Sequence, residues 1–151
     1  MWEISRVVGM AFLTGLSVED IRFRKLSGEL MGTMLFLGIT YHIFRQEISW
    51  IMVLGGIGIG MVFLGVSYIT REALGYGDSI VICILGVFVG AAELIEMLVM
   101  TWVTVSIVAM VLLFYRHFSR KASLPFIPFL TLGYGVVTLG TYIGEMSGGL
   151  R

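Results

Sequence analysis

The chain has 151 residues, 58% hydrophobic and 13% charged, with a mean hydropathy of +0.97. Soluble domains carry about 25% charged residues, so this composition excludes a water-coated globule and selects the bilayer as solvent. Ten basic residues balance ten acidic ones, and a net charge of zero offers no electrostatic footprint for nucleic acid.

Apolar runs predict an all-α polytopic membrane protein, a bundle of about six transmembrane helices in a single domain over residues 1–151. The first span, residues 2–18, contains the apolar stretch Val7–Val18. Arg6 ahead of it is offset by Glu3, and the stronger basic cluster Arg22, Arg24 and Lys25 follows it. That is the reverse of a secretory signal, so the segment reads as a retained span. The others cover residues 27–44, 50–70, 79–90, 94–115 and 126–145, the fourth being the shortest. Lipid supplies no hydrogen bonds, so helices that satisfy their own backbone are the expected solution.

The basic residues fall in termini and loops. Seven of the ten (Arg22, Arg24, Lys25, Arg71, Arg116, Arg120 and Lys121) lie in alternate loops, against Arg6, Arg45 and Arg151 on the other side. The positive-inside rule therefore predicts a cytoplasmic-membrane protein with the first group in the cytoplasm and both termini outside. Four glycine pairs, Gly28/Gly32, Gly56/Gly60, Gly86/Gly90 and Gly140/Gly144, have small-xxx-small spacing and predict faces where helix backbones approach closely.

Acidic residues are few, and only two are aspartates, Asp20 and Asp78. Asp20 ends the first span and Asp78 opens the fourth. With two spans between them, the chain crosses out and back, so both are expected at similar depth on the cytoplasmic side. Two carboxylates about 3 Å apart share one proton: one acts as base on a water while the other polarises a scissile carbonyl. Their titration then belongs to the pair. A single aspartate at a membrane boundary also serves as a helix cap, and Asp78 alone reads equally well that way. Around it stands Leu74-Gly75-Tyr76-Gly77-Asp78-Ser79. Glycines here permit a tight turn and leave room for an extended substrate strand.

These residues resemble the prepilin peptidases, whose hallmark is Gly-x-Gly-Asp together with an earlier aspartate after a span. Gly75-Tyr76-Gly77-Asp78 matches the later motif, and Asp20-Ile21-Arg22-Phe23-Arg24-Lys25-Leu26 is similar to the earlier one. Leu124-Pro125-Phe126-Ile127-Pro128-Phe129 is similar to the family's entry into its last span, so the likeness runs over essentially the whole chain. The resemblance implies an intramembrane aspartyl endopeptidase with Asp20 and Asp78 as the catalytic pair and Gly75 and Gly77 beside the substrate. It implies no metal and no cofactor. The implied partner is a type IV pilin-like precursor, with a short basic leader and a hydrophobic helix, cut at their junction on the cytoplasmic face.

Two departures bear on substrate alignment. Leu26-Ser27-Gly28 stands where the family commonly has Ile-Pro-Asn, and Ile80 where many members have lysine. The cysteine-rich methylation domain of larger members has no counterpart, so the expected form is the small Flp/Tad-type or preflagellin-peptidase-like one, without methyltransferase activity. A small ion or solute transporter and a catalytically silent pilus-assembly protein are the alternatives. The transporter would use Glu93 and Glu96, three apart on one helical face. His42 reads as an interfacial histidine and His117 as part of a basic loop. Cys83, the single cysteine, reads as a small apolar residue, with no Cys/His cluster of metal spacing. Nothing in the sequence fixes an oligomeric state.

Overall fold

A computed structural model describes residues 3–23, 26–45, 48–70, 75–114 and 125–148. Five helices follow in chain order: α1 (Glu3–Phe23), α2 (Gly28–Arg45), α3 (Trp50–Ile69), α4 (Tyr76–Phe114) and α5 (Ile127–Gly148). No strand occurs among the described residues. Three stretches are long and apolar enough to cross a membrane: Trp50–Ile69, Tyr76–Leu112 and Ile127–Gly144. Large apolar side chains such as Phe36, Ile51, Ile69 and Phe114 point outward, as expected where lipid is the solvent. The chain is an all-α membrane protein.

The 39-residue α4 would measure about 58 Å if straight, against about 30 Å of hydrocarbon. It is not straight. Gly90 has φ 76° and ψ 175°, a combination open essentially to glycine alone. Before it, residues 76–89 run antiparallel to α3, with Gly86 against Gly56 and Cys83 against Gly60. After it, residues 91–114 return alongside α3, so that Ala91 lies beside Gly55 and the Trp102 ring lies tilted, 6.0 Å from that of Phe63. The fourth and fifth expected spans are thus two separate helical arms joined at Gly90, where the chain doubles back.

The α3–α4 contact is as close as backbones allow. A Cβ on Gly56 would stand 2.5 Å from the Gly86 carbonyl oxygen, and one on Gly60 would collide with the Cys83 backbone. Of the four expected glycine pairs, Gly56, Gly60 and Gly86 serve this contact and Gly90 serves the bend. Gly28, Gly32, Gly140 and Gly144 have no described atom within 4 Å of an added Cβ, which corrects the packing role expected of them.

α5 runs antiparallel to α1 and is tied to it at three heights. The Ile127 N–H donates to Asp20 Oδ2 (3.3 Å), the Thr131 hydroxyl to the Leu13 carbonyl (3.2 Å), and the Tyr134 hydroxyl to the Arg6 carbonyl (3.1 Å). Leu13, Leu16, Ile82, Leu85, Met97 and Leu130 fill the interior between these helices. The bundle therefore has two distinct ends. Arg6, Gly90 and Glu93 mark one; Asp20, Asp78 and Ile127 mark the other.

Candidate active site

Asp20 stands in the last turns of α1, which continues past the expected boundary at Val18 to Phe23. A carboxylate at a helix C-terminus is unfavourable for that helix. Asp20 is compensated from outside: it accepts a hydrogen bond from the Ile127 N–H (3.3 Å), at the N-terminus of α5. The first N–H groups of a helix have no intrahelical partner, and the positive end of the dipole attracts an anion. α5 can start here because Pro128, in its first turn, needs no donor of its own. The Phe126 carbonyl accepts from the Phe129 and Leu130 amides, both at 3.1 Å.

Asp78 sits in the first turn of α4. That helix begins at Tyr76, three residues before the expected start at Ser79, so Asp78 is helical rather than in the approach to the helix. The Ser79 N–H donates to the Gly75 carbonyl (3.2 Å), closing the first turn. Both aspartates are half-buried, and the charge on Asp20 is near enough to act on Asp78. Each carboxylate thus lies at the N-terminal end of a helix, Asp78 in its own and Asp20 against α5, at the same end of the bundle.

The two glycines behave differently from the tight turn expected of them. Among the described glycines only Gly90 has a positive φ, and Gly77 lies within the helix. A Cβ at Gly75 would come within 3.0 Å of Asp78 Oδ2, whereas a Cβ at Gly77 would meet Leu26 Cδ1 at 2.7 Å. Gly75 clears space for the Asp78 carboxylate. Gly77 lets Leu26, in the link between α1 and α2, lie against α4.

That link carries a contact that sequence reasoning did not single out. The Ser27 N–H donates to Glu19 Oε2 (2.9 Å), tying the start of α2 to the turn of α1 that holds Asp20. A proline at position 27 has no N–H to give. Ser27, at the position where the resemblance gave proline, supplies that donor. Glu19 was visible only as one acid among ten; its signal was the serine where a proline was expected.

A profile of the Type IV leader peptidase family matches residues 7–115. The chain belongs to this family. The matched stretch holds Asp20, Gly75, Gly77 and Asp78 and ends before α5, so the family likeness is narrower than the near-whole-chain one read from the sequence. No curated protein and no solved structure matches the chain.

Other residues weighed from the sequence take places away from the aspartates. Glu93 pairs with Arg6 of α1, which gives it a partner inside the protein, while Glu96 is exposed. His42 is buried, packed edge-on against Trp50 at 4.3 Å, and its Nε2 has no hydrogen-bond partner among the described residues. It lines an apolar cleft of about 390 Å³ with Leu35, Val53, Cys83 and Val87. At 100° per residue, Cys83 and Val87 lie on the face of α4 opposite to Asp78, so the cleft does not open on the aspartates. Cys83 packs against Gly60, with Sγ 3.9 Å from the Ile57 carbonyl. No group of three or more His, Cys, Asp or Glu able to hold a metal occurs among the described residues. Arg24, Lys25, Arg71, Leu74 and the Arg116–Lys121 cluster with His117 lie outside them.

Proposed function

We infer that this member of the type IV leader peptidase family is an intramembrane aspartyl endopeptidase that uses Asp20 and Asp78 to remove the short leader of a type IV pilin-like precursor. The observation that supports the reading is that the two aspartates stand at the same end of the bundle, on helices far apart in sequence. Three helix ends, of α1, α4 and α5, converge there.

The chemistry follows from two carboxylates that hold one proton between them. The ionised member takes a proton from a water, whose oxygen bonds to the scissile carbonyl carbon. The protonated member gives its proton to the carbonyl oxygen, forming a gem-diol. The newly protonated carboxyl then gives its proton to the amide nitrogen while the other carboxylate takes one from a gem-diol hydroxyl; the C–N bond breaks, releasing the leader's new carboxyl end and the mature chain's amine. The pair returns to its starting charge.

Seven of the ten basic residues fall between the spans expected from the sequence, on the side of the aspartates, Arg22 among them in the last turn of α1; this supports a cytoplasmic site with both termini outside. A pilin-like precursor fits that depth, its basic leader in the cytoplasm and its hydrophobic helix in the bilayer. Gly75 and Gly77 would flank the extended scissile segment, with no cofactor involved.

The test is cleavage of a co-expressed pilin-like precursor, read by gel mobility and N-terminal sequencing. Asp20→Asn and Asp78→Asn are near-isosteric and remove the shared proton. Each is expected to abolish cleavage at the leader junction, by about 10³-fold or more, at unchanged membrane levels. Persistent cleavage in either variant would return that aspartate to the role of a cap.

A further inference from the structure

Arg6 and Glu93 lie at the end of the bundle away from the aspartates and take no part in the chemistry above. Their side chains form an ion pair and are largely withdrawn from the surface, at 10% and 22% exposure. The Arg6 carbonyl also accepts the Tyr134 hydroxyl (3.1 Å). At Gly9, one turn on, a Cβ would stand 2.8 Å from that same hydroxyl oxygen. α1, α5 and the returning arm of α4 therefore meet at one polar knot.

Such a knot needs a reason in a chain so poor in charge. Apolar residues of similar volume stabilise a buried site as well as an ion pair does, so the best-attested use of buried polar groups is to specify register. Hydrogen bonds at three heights fix α1 against α5; its register against α4 is what the ion pair addresses directly. α1 packs chiefly on α5 and approaches the backbone of α4 little, through aliphatic side chains such as Leu13 and Leu16 that tolerate sliding. An ion pair does not tolerate it. A shift of one residue, about 1.5 Å and 100°, separates two charges in a low-dielectric interior.

The distances connect this knot to the other end. From Arg6 to Asp20 is fourteen residues of α1, about 21 Å; from Gly90 back to Asp78 is twelve residues of α4, about 18 Å. We propose that the Arg6–Glu93 pair sets the axial register of α1 against α4 and thereby brings Asp20 level with Asp78. Both are positioning residues, and the proposal rests on the assignment of the two aspartates as the catalytic pair.

Register is measurable without activity. Val18→Cys and Ile80→Cys, at exposed positions two residues from each aspartate, carry nitroxide labels in a Cys83→Ser background, and dipolar broadening reports the spacing of α1 and α4. Glu93→Gln, like Arg6→Gln, is expected to change the broadening. In the unlabelled protein each lowers kcat on a pilin-like precursor about 10–100-fold with KM within twofold, the scale set by a misplacement of about 1 Å. Arg6→Lys retains both readouts, and the exchange Arg6→Glu with Glu93→Arg restores them. Where Arg6→Gln fails to accumulate in the membrane, Glu93→Gln and the exchange decide. Unchanged broadening in Glu93→Gln, or a fall in kcat without a change in spacing, overturns the proposal. Cleavage that survives Asp20→Asn and Asp78→Asn overturns the catalytic pair instead, and the label spacing still decides the register.

Discussion

At the scale of single residues, Gly75 and Gly77 are separable although they belong to one motif. An added Cβ at position 75 meets a carboxylate oxygen of Asp78 at 3.0 Å, so Gly75→Ala is expected to displace that group and lower kcat about tenfold. The Cβ of Gly77→Ala meets Leu26, most closely its Cδ1 at 2.7 Å and then its Cγ at 3.5 Å, both of which Leu26→Ala removes. Steady-state cleavage by Gly77→Ala with and without Leu26→Ala checks this. Recovery in the double variant assigns Gly77 to packing, and persistent loss assigns it to the substrate strand. The aspartates were legible in the sequence because only two occur and hydropathy placed both at span ends. What the glycines clear was not legible, since a Gly-x-Gly spacing is the same whether the close neighbour is a carboxylate, a leucine or a bound peptide. The Glu19–Ser27 bond was hidden for a related reason: a backbone donor leaves no mark on composition.

At the scale of elements, each apolar run coincides with a helix or an arm of α4. Among the described residues, however, only stretches in α3, α4 and α5 have the length and hydropathy to cross a membrane. The all-α class was therefore legible, and the count of six spans is not established. Ends were less legible. α1 extends through Asp20 and α4 begins before Asp78, since polar residues in a terminal turn are compatible with helix yet interrupt an apolar count. The turn between the fourth and fifth spans needed no loop residues at all, only Gly90 at φ 76°. Spacing alone grouped Gly90 with Gly86 as a packing pair, and positive φ has no signature beyond the glycine itself. The bend should be intolerant of a side chain. Gly90→Ala places a Cβ 3.2 Å from Ile48 and 3.3 Å from Met52, in a backbone conformation that costs L-residues about 1–3 kcal/mol. Thermal unfolding in detergent should show a lower Tm for Gly90→Ala. An unchanged Tm would mean that the two arms do not depend on this conformation.

At the scale of the whole molecule, function depends on which membrane face the aspartate end occupies. The bundle has one end with Asp20 and Asp78 and another with Arg6 and Glu93, but its geometry is indifferent to direction; only the uneven distribution of lysine and arginine breaks the symmetry. On the proposed reading, a leader with basic residues stays on the cytoplasmic side for that same electrostatic reason, and one rule would orient both the protein and its precursor. Orientation is testable at two positions bracketing α3, Ser49 just before it and Thr70 just after it. In a Cys83→Ser background, Ser49→Cys should react with a membrane-impermeant maleimide in intact cells, and Thr70→Cys only after the membrane is opened. The reverse pattern would place the aspartates outside, where no cytoplasmic leader reaches them, and the proposed substrate would fall even if the pair itself were catalytic. Labelling as expected, combined with loss of cleavage in both asparagine variants, leaves a single arrangement: a carboxylate pair at the cytoplasmic helix ends, at the depth where a precursor's leader meets its hydrophobic helix.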